Sequence, residues 1–412
     1  MTATLPGPTP STANRLGTPR RRVVRVPLPE ETTPQAMTAQ PVGRPTSGVV
    51  AVVPAHNEEA GIADVITDLQ RQTLPPDRIV VIVNNSTDRT AAIARSFGDV
   101  DVVDMPDNKH KKVGALIESW GIVGQQHPYW LGVDADTRLD PDCIRQLRDE
   151  LQADDKLAGV MARYTFDQPS ADKQGPIASL LVFAQRLEFA GWIDDLLHRK
   201  RETYVLGGQA SLFRTSALAQ VAARDDRESP WTTTTLVEDM ELTWQLKDAG
   251  WKVRVSAEAR AYAGPMTAIR SLWGQRSKWD YGLAKLLHDR RGLRDASTRY
   301  PWRLQSKMLL DFSLRAMFVV QLFAAWLLAA FTWYWVWIFP PVWASLLNLR
   351  LAGAMPNRRK RDLFLAGTLI VPELFLWLRL ACWVRCWFKV LTHQGFDGWS
   401  AQYEAERKAV RS

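Results

Sequence analysis

The chain has 412 residues, 46% of them apolar, with 52 basic against 44 acidic side chains and a formal charge of +8. That length exceeds one small domain and leaves room for a large core plus an accessory region. The mixed charge, with its basic excess in the tail and the last third, argues for an anionic membrane surface and against nucleic acid. Cys143, Cys382 and Cys386 show neither a secreted disulfide framework nor metal-ligand spacing, as in a reducing compartment.

Residues 1–47 are rich in Pro, Thr and Arg, lack an apolar signal core, and are expected to form a disordered N-terminal tail. From Gly48 the pattern changes. "GVVAVVP" is a short apolar run closed by Pro54, and "HNEEAGIADVITDLQRQ" sets Ile62, Val65, Ile66 and Leu69 at helical spacing. "IVVIV" (79–83) leads through "NNSTDRT" to a helix containing Ile93, "VDVVD" through "MPDNKHKK" to a helix from Val113, and "YWLGV" into "DADTRLDPD". Four such units predict the α/β class, a mostly parallel sheet with helices on its faces and ligands at the carboxyl ends of its strands.

Asp134 and Asp136 stand one residue apart at such an end. On a strand of period two their carboxylates converge, and converging hard oxygens suit Mg²⁺ or Mn²⁺. An isolated Asp-x-Asp is more often a helix cap. Here Asp140-Pro141 resembles a helix start with a cap of its own, which releases the pair for another role.

Farther on, "TLVEDMELTWQL" opens a helix with Glu238, Asp239 and Glu241, where the helix dipole alone would favour acids. A carboxylate there is equally suited to take a proton from a sugar hydroxyl. "WGQRSKWDYG" sets Gln275 and Trp279 one helical turn apart, with Arg276 and Lys278 to offset phosphate charge. An amphipathic segment at a membrane surface would have the same composition.

Most of the 18 tryptophans lie beyond residue 270, and Ala316–Leu349 is a run of 34 residues without a charge. A single crossing needs roughly 20. Pro340-Pro341 interrupts the run beside Trp333, Tyr334, Trp335 and Trp337, and basic residues flank both ends, which predicts a hairpin near 312–352 with both flanks cytoplasmic. The stretch 363–390 carries Glu373, Arg379, Arg385 and Lys389 among tryptophans and suits an interfacial helix at least as well as a further crossing. Residues 391–412 are expected to be a C-terminal tail.

The motifs "VVPAHNEE", "NNSTDRT", "KKVGAL", "VDADT", "GGQASLFR", "VEDMELTWQLKDAGWKV" and "QRSKW", in this order and followed by apolar helices, resemble the family 2 inverting glycosyltransferases. The closest likeness is to the membrane-embedded branch that includes cellulose, chitin, hyaluronan and poly-N-acetylglucosamine synthases. The resemblance implies a GT-A domain over 48–290, a membrane region over 291–390, and a multi-pass membrane protein with its catalytic domain in the cytoplasm. It implies transfer from a nucleotide-sugar donor, UDP-linked, to a glycan or lipid-linked acceptor, giving a β-linkage.

Under the resemblance Pro54, Glu58, Asn84, Lys112 and Asp134 bind the donor, and Asp136, with Asp134, holds Mg²⁺ or Mn²⁺. Asp239 is the catalytic base. Glu238, Gly208, Gln209, Gln275, Arg276, Lys278 and Trp279 lie by the acceptor and the diphosphate. Asn84 stands where the family's turn often begins with Asp, and Lys278 where the Gln-x-x-Arg-Trp signature has Arg. A catalytically silent nucleotide-binding scaffold and a nucleotidyltransferase are the competing classes. The first would lose the acids that are present, and the second would carry a Gly-rich basic loop where "PAHNEEAG" stands. Sugar, acceptor, processivity and partner subunits are left open.

Overall fold

The computed structural model describes residues 46–166, 172, 174–290, 296–329, 332 and 335–398. The expected N-terminal tail, apart from Thr46 and Ser47, and positions 399–412 of the expected C-terminal tail lie outside the described residues. The first half follows the anticipated rhythm: β1 Val49–Ala55, α1 Ile62–Gln70, β2 Arg78–Asn84, α2 Thr90–Arg95, β3 Asp101–Met105, α3 Lys111–Val123 and β4 Tyr129–Gly132. Period-two alternation sends Val49, Ala51 and Val53 of β1 into one core layer with Ile62, Val65, Ile66 and Leu69 of α1. Val50 and Val52 face the opposite layer with Val113 and Leu116 of α3. Both faces of the sheet are therefore covered.

Two-residue β5 Arg138–Leu139 and α4 Cys143–Gln152 follow, then β6 Leu157–Phe166, α5 Pro176–His198, β7 Ser211–Arg214, α6 Thr215–Arg224, α7 Glu238–Asp248, β8 Lys252–Ala263 and α8 Ile269–Asp289. The sheet order is β3-β2-β1-β4-β7-β6-β8-β5. Pairing is parallel from β3 to β4, but β7 runs antiparallel to both β4 and β6, and β5 antiparallel to β8. The chain reverses direction of assembly between β1 and β4, which opens a crevice at their carboxyl ends.

The expected helix start at Asp140 is corrected. The Asp140 N–H bonds the carbonyl of Arg260 at 3.2 Å, which keeps the residue at the end of β5, and the helix begins at Cys143. Asp142 precedes it, but with its side chain bonded to Thr73 at 2.8 Å.

Beyond α8 come α9 Ala296–Leu327, a 3-10 turn at Trp335–Ile338, α10 Phe339–Ala354, α11 Lys360–Gly367 and α12 Ile370–Leu391. α9 is long and apolar enough to cross a membrane, and none of its apolar window is buried. The prolines do not mark the hairpin turn. Pro340 and Pro341 sit in the first turn of α10, where a missing N–H costs nothing, so they begin the second arm. Of the aromatic belt, Trp333 and Tyr334 lie outside the described residues.

α11 and α12 meet at 66°, and α12 returns to pack on the α/β domain. Its Cys382 and Cys386, both buried, pack with Tyr281 and Ala284 of α8, so the thiols are core filler.

Candidate active site

All fourteen residues singled out from the sequence line one cleft of about 1290 Å³. Its donor end is built at the tips of β1 and β2. Asn84 is buried; its side-chain oxygen accepts from Asn108 Nδ2 at 2.7 Å, and its carbonyl contacts His56 Nδ1 at 2.7 Å. Asn108 also bonds the backbone of Lys111 at 2.6 Å, so this knot of amides sets where α3 starts. An aspartate at 84 would accept the same bond, so this contact suits either residue. The Glu58 N–H donates to Thr90 Oγ1 at 2.8 Å, fastening the loop after β1 to α2.

Asp134 and Asp136 are not on a strand. β4 ends at Gly132, and the Thr137 N–H closes a turn on the carbonyl of Asp134 at 3.1 Å. Period-two reasoning therefore does not apply to them; they stand in a turn, with the positive charge of Lys112 acting on both acids. Lys112, on the first turn of α3, bonds Asp134 directly and lies 3.8 Å from Glu238. Burial opposes its charge, but the Asp134 and Glu238 carboxylates hold its proton affinity well above the ordinary lysine value. Asp136 is pushed up to about 6, by burial first and by Asp134 second, with Lys112 opposing.

Two glycines leave room for these acids. A Cβ on Gly208 would lie 2.5 Å from Lys112 Nζ and 2.9 Å from Asp134 Oδ1, and one on Gly264 would lie 2.5 Å from Asp136 Oδ2. The loop holding Gly207, Gly208 and Gln209 is pinned from below. Thr243 on α7 accepts the Leu206 N–H at 2.8 Å, and Ser211 bonds the Gly207 carbonyl at 2.6 Å.

At the start of α7 the three acids separate in role. Glu241 is engaged by Thr232 at 2.5 Å. Glu238 is buried and faces Lys112. The Asp239 carboxylate accepts the Met240 N–H at 2.7 Å and is pushed up to about 7 by burial and then by the Glu238 charge.

α8 closes the cleft with Gln275, Lys278 and Trp279. Arg276 is almost wholly buried. Its guanidinium bonds Glu188 at 2.8 Å and Gln275 at 2.6 Å and stacks over Trp279 at 4.4 Å. Of the two cations expected near a diphosphate, Arg276 is thus engaged in holding its neighbours. Lys278 lies in the field of Glu238 and Asp239; burial, reinforced by Lys112, lowers it to about 8.

Sequence reasoning missed Glu188 on α5. Burial would raise its proton affinity, but Arg276 and Arg379 keep it low, and Arg379 of α12 also pairs with Asp280 at 2.8 Å. Nothing local marks it, since its partner Arg276 is 88 positions away.

Among the described residues no group of three or more His, Cys, Asp or Glu could hold a metal by itself. The donor set nevertheless fits a hard divalent ion that keeps waters and borrows phosphate oxygens. Asp136 and the outer oxygen of Asp134 are carboxylates set against glycines whose missing side chains leave space.

Residues 50–221 match the family described as Glycosyl transferase family 2. Over 244 residues the chain is 26% identical to a poly-beta-1,6-N-acetyl-D-glucosamine synthase of Staphylococcus epidermidis, covering 57% of this chain and 54% of that protein. The synthase of the same name from Staphylococcus aureus (strain COL) is 25% identical over the same coverage. The chain thus spans about half the length of these curated relatives. Among solved structures, a mannosyltransferase from Pyrobaculum calidifontis in complex with GDP-Man and Mn2+ superposes with a TM-score of 0.53 at 17% identity, over 88% of this chain and 92% of that one.

Proposed function

We propose, from the premise that residues 50–221 form a glycosyltransferase family 2 domain within a GT-A fold, that the chain is an inverting, membrane-associated glycosyltransferase. It transfers a sugar from a UDP-linked donor to a hydroxyl of a glycan or lipid-linked acceptor. One observation carries the reading: a single cleft holds Asp134 and Asp136 with Lys112 at the strand tips and, within the field of that lysine, a proton-hungry carboxylate, Asp239.

Asn84 and Glu58 line the nucleoside end, and Lys112 steadies Asp134 beside it. When bound by Asp136 and Asp134, Mg²⁺ or Mn²⁺ supplies positive charge to the departing diphosphate. Lys278 adds a cation on the same side. Asp239 accepts the proton of the acceptor hydroxyl as that oxygen bonds the anomeric carbon, and the nucleoside diphosphate leaves from the opposite face. An α-linked donor gives a β-linked product. Gln275 and Trp279, held by Arg276, flank the acceptor.

The reading extends to the bilayer. α9 and α10 form a hairpin whose outer ends both meet the catalytic domain: Tyr300 packs with Leu242 and Leu246 of α7, and Ala352 and Met355 with Phe183 and Leu187 of α5. Between those ends the large apolar side chains from Leu309 to Leu328 and from Phe339 to Leu347 are predominantly exposed. Two ends on one side mean an even number of crossings, with the catalytic domain cytoplasmic among its nucleotide sugars.

The test is nucleoside diphosphate release by the liposome-reconstituted protein across UDP-sugar donors, with and without Mn²⁺ and lipid extracts. Asp239→Asn abolishes release while nucleotide binding persists. Unchanged turnover in that variant removes Asp239 from its role.

A further inference from the structure

A second cavity, of about 110 Å³, lies between α5, the paired ends of β6 and β8, and the C-terminal end of α10. Arg163 and Arg260 line it and are register partners on adjacent strands. Like charges so placed destabilise a sheet pair unless something negative intervenes. Among the described residues no carboxylate lies within 4.0 Å of either guanidinium. Arg163 Nε donates to the Ser256 carbonyl at 3.0 Å, and the Arg260 side chain has no hydrogen bond or ion pair there.

Three acids around the cavity, Asp194 of its wall among them, are engaged by other arginines. Asp194 takes two bonds from Arg350, at 2.6 and 2.8 Å, Asp362 takes one from Arg186 at 3.3 Å, and Glu150 pairs with Arg201. Burial first and Arg260 second lower the proton affinity of Arg163, with the Glu150 and Glu258 carboxylates opposing.

We infer that this cavity binds a phosphate-bearing anion between Arg163 and Arg260. Planar guanidinium forks match phosphate oxygens two at a time. A single water needs roughly 10–15 Å³ of such space, so 110 Å³ admits an oxyanion head. Pro356 in the cavity wall leads into the turn carrying Arg358, Arg359, Lys360 and Arg361, where the hairpin returns to the catalytic domain. A phospholipid head group and free phosphate share the required chemistry. The site stands on its own geometry and does not depend on the transferase reading.

The experiment is thermal unfolding of the full-length chain in two arms. In detergent, inorganic phosphate replaces chloride at constant ionic strength. In nanodiscs, phosphatidylglycerol is added to phosphatidylcholine. The wild type gains about 2–4 °C in at least one arm, and R163Q/R260Q gains nothing in either. A gain confined to nanodiscs assigns the lipid, and one in detergent assigns the free anion. Without phosphate or anionic lipid, R260Q melts no lower than wild type, because it removes only repulsion. Equal gains in wild type and double variant, no gain in either arm, or a clear loss of stability in R260Q alone each overturns the proposal.

Discussion

Asp239 gains a proton readily because burial and the adjacent Glu238 charge disfavour its ionised form, which places its titration at about 7. With Asp239 as the proposed base, below that pH its carboxyl is already protonated and takes no proton from the acceptor, so turnover is expected to rise about tenfold per unit up to pH 7. Lys278, lowered to about 8, loses its charge above that value, so turnover falls again on the alkaline side. Lys278→Arg keeps its charge at any accessible pH; the pH profile of kcat in this variant is expected to lose its alkaline limb and keep the acid one.

Linkage adds a second readout. The proton affinity of Asp239 is higher in the folded than in the unfolded chain, so its ionisation costs stability increasingly as pH rises from about 4 to about 7. Asp239→Asn is therefore expected to raise the melting temperature more at pH 8 than at pH 5, while activity is lost. Gly208→Ala brings a methyl group within 3 Å of Lys112 and Asp134, so donor KM is expected to rise at least tenfold with little change in melting temperature. All fourteen candidate residues line one cleft; the Asp pair and the acids of α7 stood out by residue type, whereas Pro54, Glu58, Asn84, Lys112, Gly208 and Gln209 came from the family resemblance. What Arg276 does was not legible. Its position in the motif suggested phosphate, and only the approach of Glu188 commits it elsewhere.

At the scale of elements, α5, α8 and α12 are locked together by Glu188, Arg276, Arg379 and Asp280. Removing one charge from such a buried group leaves its partners uncompensated. Glu188→Gln is expected to lower kcat about tenfold with donor KM nearly unchanged, because Gln275 and Trp279 lose their brace while the donor pocket stays intact. A parallel rise in KM would point to a general loss of structure instead. Helix periodicity found α1 and the start of α7. The antiparallel strand β7 and the bulged pairing of β6 with β8 left no comparable trace, since pairing partners are chosen by neighbours far along the chain. The Asp pair illustrates the same limit: it was expected on a strand, and it lies in a turn where Lys112 pairs with Asp134.

For the molecule as a whole, the question is which side of a membrane each end of the hairpin occupies. The three native cysteines are buried, so an introduced thiol dominates labelling. Ala329→Cys, at the far end of α9, is expected to react with an impermeant maleimide only from outside intact cells, and Lys360→Cys only after permeabilisation. Reaction of both from the same side would show that the hairpin does not cross. α12 belongs with the catalytic domain, since its buried face packs on α8 and its Arg379 completes the Glu188 network. Its composition left that open, because tryptophans mixed with cations suit a membrane surface and a domain surface alike.

Composition, apolar periodicity and the order of polar loops determined the α/β class, the chemistry-bearing loops and the apolar hairpin, because those signals are local and each residue carries its own share. Tertiary structure alone decided which cation meets which acid, where the second apolar helix begins, and that two arginines from β6 and β8 line one cavity. Charge interactions and strand pairing depend on distances between residues tens to hundreds of positions apart, and those distances exist only once the chain has folded.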